Sequence, residues 1–269
     1  MSKIGLIAGN GNLPVLFTQA AREQGYEIVV ITVTPEAASN KLADLTDHFY
    51  QIEVGQLDKI ITTLQQEEVS EVVMLGKVTK ELLYQGVELD NKFKQLLASL
   101  PDKNDDAIML GVVKVLKEAG IKVADQTKFI EKLLPDAATL TTVEPSEEVL
   151  ADMKYGFKMA KEIGRLDIGQ TIVVKDKAVM AVEAIEGTNE AIRRGGKLGC
   201  QEVVVAKVSK PQQDLRFDIP TVGLETLQRL IEVGAKGLVI EANKTFIVNQ
   251  TEVIKKANQA GIPIVAMEK

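Results

Sequence analysis

Short β-branched runs alternate with amphipathic stretches through the first half of this chain, and few folds accept that rhythm. Residues 4–8 read as a strand, 13–24 as a helix and 27–33 as a second strand. Strand, helix, strand is the unit of a parallel sheet, because parallel neighbours need a crossover rather than a tight turn. The pattern continues with strands over 49–54, 72–75 and 121–124 and a helix over 57–66. Ile108, Met109, Val112, Val115 and Leu116 recur at helical spacing, and Asn104 stands where it can cap that helix. The first half is therefore expected to be an N-terminal Rossmann-like α/β domain with a parallel sheet.

The rhythm loosens around Pro135-Asp136, a threonine-rich stretch and Pro145-Ser146, which reads as a connector. We place the boundary there, giving domains 1–133 and 134–269; a chain of 269 residues is long enough for two domains with separate cores. The second half offers a long helix over 147–163 and two strands, 171–174 and 178–184, joined at Asp176-Lys177 as a hairpin. A helix from Thr188, a strand over 202–208 and a helix over 224–233 follow. A second hairpin is expected at Asn243-Lys244, then a last helix and strand. Hairpins interleaved with crossover helices imply a C-terminal α/β domain with a mixed sheet.

The bulk properties narrow the partners. A formal net charge of −6 gives no general attraction to a polyphosphate backbone, so nucleic acid is not expected. The longest apolar runs, such as 28–33, fall far short of the roughly 20 residues that span a bilayer, so any membrane contact is peripheral. The single cysteine, Cys200, cannot close an internal disulfide, and the N-terminus shows no signal-peptide pattern, which points to the cytoplasm. Cys200 precedes an apolar strand and reads as a small buried hydrophobe. The one histidine, His48, reads as a solvated or strand-edge residue and rules out multi-histidine metal sites. Acid–base and metal chemistry must fall mostly to carboxylates.

Five segments could carry that chemistry. Gly9-Asn10-Gly11-Asn12-Leu13-Pro14 joins the first strand to the first helix, where bare backbone N–H groups can hold an anion. It departs from the dinucleotide fingerprint: Pro14 replaces the third glycine, and Thr32-Val33-Thr34 ends the second strand without an acid. Phosphate or nucleotide binding is thus favoured over a nicotinamide cofactor, with a plain tight turn as the alternative. Lys77, in Gly76-Lys77-Val78, sits at the carboxyl edge of the fourth strand and could meet a phosphate or simply be solvated. Asp105 and Asp106 open a helix, where they either complement its dipole or help hold a divalent cation.

Glu186-Gly187-Thr188 precedes a short helix carrying Arg193 and Arg194. Thr188 and the two guanidiniums would suit a phosphate, or form an N-cap followed by a solvated basic turn. The segment from Lys210 through Gln213, Asp214 and Arg216-Phe217-Asp218-Ile219-Pro220 to Gly223 is the most unusual. Asp218 lies between apolar neighbours two residues before a proline. A rigid, partly desolvated carboxylate that binds metal or orients water is one reading; a proline-stiffened loop whose aspartate pairs with Arg216 is the other.

Taken in order, these segments resemble the UDP-2,3-diacylglucosamine pyrophosphatase family of the LpxI type, over essentially the whole chain. The resemblance implies hydrolysis of UDP-2,3-diacylglucosamine to UMP and 2,3-diacylglucosamine 1-phosphate in lipid A biosynthesis, assisted by magnesium or manganese. It implies a two-domain protein that holds the diacylated sugar between its domains, and it places the family's essential aspartate on Asp218. By the same resemblance Gly9, Asn10, Gly11, Asn12, Lys77, Thr188, Arg193, Arg194, Lys210, Gln213 and Arg216 bind substrate, with Asp218, Asp105 and Asp106 toward the metal. Ile219 departs from the usual leucine or valine, and Asn189 stands where an aspartate often follows the threonine. An acylated UDP-sugar is the expected partner, at the cytoplasmic face of the inner membrane, and a homodimer is compatible with this reading. The rival classes are a non-catalytic nucleotide or acylated-sugar binding protein and a nicotinamide oxidoreductase.

Overall fold

The computed structural model describes residues 2–37, 40–78, 88–101 and 105–268. Contacts divide the chain into two units, Met1–Glu131 with Leu215–Phe217, and Lys132–Asp214 with Asp218–Lys269.

The first unit is built on a five-stranded sheet in the order β3-β2-β1-β4-β5. Its strands are β1 (Lys3–Ala8), β2 (Glu27–Thr32), β3 (His48–Gln51), β4 (Glu71–Leu75) and β5 (Lys122–Val123). Every pairing is parallel. Ile4, Leu6, Ile28, Val30 and Ile31 are fully buried, as expected where helices cover both faces and alternation gives way to continuous apolar runs. Helices α1 (Leu13–Glu23), α2 (Asn40–Ala43), α3 (Leu57–Gln66), α4 (Asn91–Ser99) and α5 (Asp105–Glu118) make the connections. Asp90 caps α4 by accepting from the Phe93 amide at 2.8 Å. Asn104, the cap expected for α5, lies outside the described residues, as does the side chain of Asp105. His48 opens the edge strand β3, with Glu27 and Glu67 each 3.4 Å from a ring nitrogen.

From β1 the chain winds outward to β2 and β3, then returns to the other side of β1 for β4 and β5. The direction of winding therefore reverses between β1 and β4. Their carboxyl ends lie side by side at this switch point, the place where open α/β sheets bind ligands.

The second unit carries a six-stranded mixed sheet in the order β6-β13-β11-β9-β7-β8 and a two-stranded one, β10-β12. The strands are β6 (Ala138–Thr139), β7 (Thr171–Lys175), β8 (Ala178–Val182), β9 (Val204–Lys207), β10 (Thr221–Val222), β11 (Gly237–Glu241), β12 (Phe246–Ile247) and β13 (Ile264–Met267). Strands β9, β11 and β13 run parallel, while β6, β7 and β8 supply antiparallel pairings. The β7–β8 hairpin turns at Asp176 and Lys177, both at positive φ (52° and 56°), and the Asp152 carboxylate accepts from both of their amides at 2.8 and 2.7 Å. Helices α6 (Glu147–Arg165), α7 (Thr188–Leu198), α8 (Leu224–Glu232) and α9 (Gln250–Gln259) cover the sheet. Ser146 caps α6.

Two expectations fail here. Asn243-Lys244 does not close a hairpin: β11 already has a parallel neighbour on each edge, so the chain after Asn243 pairs as β12 with β10 instead. Phe246 N donates to the Pro220 carbonyl at 2.8 Å, which anchors this second small sheet. Cys200 is exposed rather than buried, because Cys200, Gln201 and Glu202 all take positive φ (52°, 69° and 59°) in the turn that leaves α7.

One buried ionic cluster joins the elements of this unit. Glu241, at the end of β11 and 2% exposed, accepts from Lys161 of α6 at 2.8 and 3.0 Å. It also accepts from the Ser209 amide at 3.0 Å and hydroxyl at 2.7 Å, and from Lys244 at 3.0 Å. Burial pushes the Glu241 carboxyl up, but the hydrogen bonds from Lys161, Ser209 and Lys244 outweigh it and hold its pKa below the ordinary 4.5. A carboxyl depressed in this way stabilises the fold above its unfolded pKa, and that contribution is lost as pH falls through its folded value. We predict that Lys161→Met costs about 3–5 kcal/mol, because it strips the main partner from a buried charge. Urea unfolding at pH 7 would measure this, and the gap between parent and variant should narrow on acidification below pH 4.5.

Candidate active site

In the first unit, two backbone segments meet at the carboxyl ends of β1 and β4. The Gly9 amide donates to the Leu75 carbonyl at 2.8 Å, and Asn10 and Lys77 exchange amide-to-carbonyl bonds at 2.9 and 2.8 Å. A Cβ on Gly76 would fall 2.5 Å from the Gly9 carbonyl carbon and oxygen, and one on Gly9 would fall 2.7 Å from the Lys77 carbonyl oxygen. Only paired glycines allow so close an approach. It brings together the glycine loop and Lys77, which lie far apart in sequence.

The residues of this loop differ in what holds them. The Asn10 carbonyl oxygen Oδ1 accepts from the Thr34 hydroxyl at 2.5 Å, at the end of β2. Gly11 takes a φ of 111° with open space where a side chain would stand. Any other residue there is strained by its backbone, so substitution at Gly11 would disturb folding as well as ligand approach. Asn12 precedes α1 without a side-chain cap bond, and Pro14 lies in the first turn. Lys77 is exposed, and Asp106 is half-buried in α5.

In the second unit, the edge formed by the carboxyl ends of β8 and β9 and the start of β7 gathers a polar row. Lys210, just past β9 and with a side chain 11% exposed, lies 2.6 Å from Asp167 Oδ1 and 3.7 Å from Asp218 Oδ2. Gly164 lets α6 run close beneath it, since a Cβ there would sit 3.3 Å from the Lys210 Cα. Asp218 has a φ of 62° and a side chain 46% exposed, between the buried Phe217 and Ile219. Gln170 Nε2 donates to Asp218 Oδ2 at 3.2 Å. The carboxylate is therefore accessible while its backbone is fixed by buried flanks. Phe217 packs into the apolar core of the first unit, to which the three residues Leu215–Phe217 belong. Leu215 joins them there through its carbonyl, which accepts from Gln126 N at 2.7 Å, and Arg216 lies between the two, half-buried.

Thr188, the first residue of α7, donates to Glu183 Oε1 at 2.7 Å and accepts from Lys207 at 3.0 Å. Gly187 before it has a φ of 80° and gives α7 no side-chain cap. Gln213 turns inward on its own loop, its Oε1 accepting from the Lys210 amide at 3.1 Å. The two arginines are engaged by carboxylates. Arg193 pairs with Glu190 at 2.9 Å on the exposed face of α7. Arg194 reaches Glu186 at 2.5 Å and the Val182 carbonyl at 2.8 Å. The Glu186 carboxyl is held below its usual range first by its own amide and, against partial burial, by Arg194.

The fold thus joins Lys210 to Asp218, and Gly9 and Asn10 to Lys77, while it sets Arg193 in an ion pair along its own helix. It also supplies Asp167, Gln170, Glu183 and Lys207, which the sequence reading did not single out. The signal available for the first two was a polar turn, Asp167-Ile168-Gly169-Gln170, placed between a long helix and a strand.

This arrangement can be set beside known proteins. The family description LpxI N-terminal domain matches residues 3–133, and LpxI C-terminal domain matches residues 136–265. The chain belongs to the LpxI family. It is 30% identical over 282 aligned positions to the UDP-2,3-diacylglucosamine pyrophosphatase LpxI of Caulobacter vibrioides, covering 100% of this chain and 98% of that protein. Among solved structures, N5-carboxyaminoimidazole synthetase from Staphylococcus aureus complexed with ADP matches at a TM-score of 0.29 and 17% identity, over 64% of this chain and 32% of that one. UDP-glucose-4-epimerase from Stenotrophomonas maltophila matches at a TM-score of 0.29 and 12% identity, over 45% and 35%. This chain thus spans about a third of the length of either structure, and likenesses at that score say nothing of its chemistry.

The two glycines make the first unit's patch testable. Gly76→Ala should destabilise the protein by at least about 1–2 kcal/mol, the cost of forcing a side chain onto a left-handed backbone, as read from urea unfolding. Lys77→Ala should stay within about 0.5 kcal/mol of the parent, as surface changes do, yet weaken UDP binding in calorimetry. Unchanged UDP affinity in Lys77→Ala would remove this lysine from the binding set.

Proposed function

We propose that this protein hydrolyses the pyrophosphate of UDP-2,3-diacylglucosamine to UMP and 2,3-diacylglucosamine 1-phosphate, a step of lipid A biosynthesis. One observation carries this reading. The half-exposed Asp218 carboxylate, between Lys210 and Gln170, lies in a chain similar along its full length to a pyrophosphatase of that name. In the reaction a water oxygen bonds to one phosphorus, the bond from that phosphorus to the bridging oxygen breaks, and the two water protons are shared between the products. Asp218 is suited to orient that water, since its charge is accessible and its backbone fixed. Lys210 can offset negative charge on the phosphoryl oxygens, and the loop of Gly9 to Asn12, with Lys77, supplies amide and ammonium donors to a nucleotide.

A divalent metal, magnesium or manganese, is part of this proposal. Among the described residues no three or more His, Cys, Asp or Glu side chains gather into a metal-binding group. Asp218 with a substrate pyrophosphate fits a magnesium ion better than a protein cage would, because magnesium takes one or two carboxylates together with substrate oxygens and water. Asp106 remains a second candidate ligand, and so does Asp105. Such an ion, when bound, would neutralise charge developing on the phosphoryl oxygens.

No helix among the described residues is long and apolar enough to cross a membrane. With its acylated substrate, we place the protein in the cytoplasm at the inner face of the membrane. The competing reading, a protein that binds the nucleotide sugar without cleaving it, shares the glycine loop but assigns no task to Asp218.

Asp218→Asn keeps the size and reach of the side chain and removes its charge. UMP release in the presence of manganese should fall by orders of magnitude, with thermal unfolding unchanged, whereas Asp214→Asn should lose much less. An Asp218→Asn protein that turns over at the parent rate would refute the catalytic assignment, and a parent protein that binds substrate without releasing UMP would favour the binding reading.

A further inference from the structure

We infer that Gln170 is a positioning residue for the Asp218 carboxylate, an inference that rests on the hydrolase reading above. Gln170 stands at the entrance to β7 with its backbone pinned on both sides. Its amide donates to Glu183 Oε2 at 3.4 Å and its carbonyl accepts from Val208 N at 3.0 Å. From that base the side chain sends Nε2 to Asp218 Oδ2 at 3.2 Å. Lys210 approaches the same oxygen at 3.7 Å. One hydrogen-bond donor and one nearby ammonium favour a single rotation of a carboxylate whose backbone is held at a φ of 62°.

The orientation of the Gln170 amide follows from chemistry. Turning it over would set its oxygen against the carboxylate, two acceptors in contact, so the donor must face Asp218. Its Oε1 is then directed into the protein, where it is buried and has no hydrogen-bond partner among the described residues. An unsatisfied buried acceptor is destabilising, and a site that retains one has a reason to keep an amide there. Methionine or leucine would fill the same space without that cost. The reason on view is the Nε2 donor to Asp218.

Lys210 faces Asp218, Asp167 faces Lys210, and Glu183 faces the Gln170 backbone while holding Thr188, which in turn meets Lys207. A carboxylate set in advance needs no reorganisation when it aligns a nucleophile, and this is how a neighbour that never touches substrate can affect rate.

Two variants test this. Gln170→Met keeps length and removes the donor, and Gln170→Glu keeps shape and replaces the donor with a like charge. Each would be followed by steady-state UMP release across pH. The Gln170 side-chain amide would be followed by nitrogen NMR at pH 7, assigned by its absence in the Gln170 variants. Gln170→Met should lower kcat on the order of tenfold to a hundredfold, the range seen when a residue orienting a ligand group is removed, with KM little changed. The Gln170 amide protons of the parent should shift when Asp218 is replaced by alanine, as donors to its carboxylate must, and Gln170→Glu should lower kcat further than Gln170→Met because it sets a like charge against Asp218. Should Gln170→Met not fold, Gln170→Glu carries the test alone. A parent-like kcat in Gln170→Met, with Gln170 amide protons unmoved by Asp218→Ala, would overturn the inference. If the parent releases no UMP, the hydrolase reading falls, and the Gln170 amide shift alone decides whether Gln170 holds the carboxylate.

Discussion

The second unit depends on one buried ion pair, Lys161 with Glu241. Glu241 ends the central strand β11, Lys161 comes from the long helix α6, and Ser209, held by the same carboxylate, is the residue at which the chain leaves β9. Charges are costly to bury, and this pair is tolerable only because Ser209 and Lys244 fill the remaining acceptor positions of the carboxylate. The cost has a structural return. It fixes where the segment beginning at Lys210 starts, so the placement of Lys210 against Asp167 and Asp218 follows from an interaction made one residue earlier.

The first unit solves a comparable problem without charge. Its loop after β1 and its loop after β4 are held by backbone bonds that need the two chains nearly in contact, and Gly9 and Gly76 meet that need by lacking side chains. The contact falls where the winding of the sheet reverses, so amides and Lys77 are presented together at the crevice edge. Both units therefore offer polar groups from strand ends at one edge of a sheet, the first from the carboxyl ends of parallel β1 and β4 and the second from the ends of β8 and β9 and the start of β7. The physical cause is shared: side chains at strand ends escape the covering helices, while those in mid-strand are buried in the core.

Membership of the LpxI family agrees with this division of labour, because the two family descriptions meet close to where the chain passes from one unit to the other. The segment 210–220 does not respect that division. Lys210 and Asp218 belong to the second unit, but Leu215–Phe217 between them belongs to the first, with Phe217 in its apolar core.

Much of this was legible in the residues. Parallel strands buried on both faces leave continuous β-branched runs, and a hairpin with two left-handed residues leaves Asp176-Lys177, so the parallel sheet, the β7–β8 hairpin and the mixed character of the second sheet could be read directly. The segment around Asp218 stands out in the sequence too, since two prolines and several charges in one short stretch are chemically conspicuous, and a catalytic task for Asp218 is our proposal. Other features could not be read, because they depend on neighbours distant in sequence. Asn243-Lys244 has the local form of a hairpin turn, but the edges of β11 are taken by β9 and β13, and only the assembled sheet decides that. The partners of Asp218 come from Gln170 and Lys210, on either side of β7 and β9, and no spacing announces them. Local backbone preference and hydrophobic period belong to the sequence by itself; which donor meets which carboxylate is decided by strand order, because that order sets which chain ends share an edge.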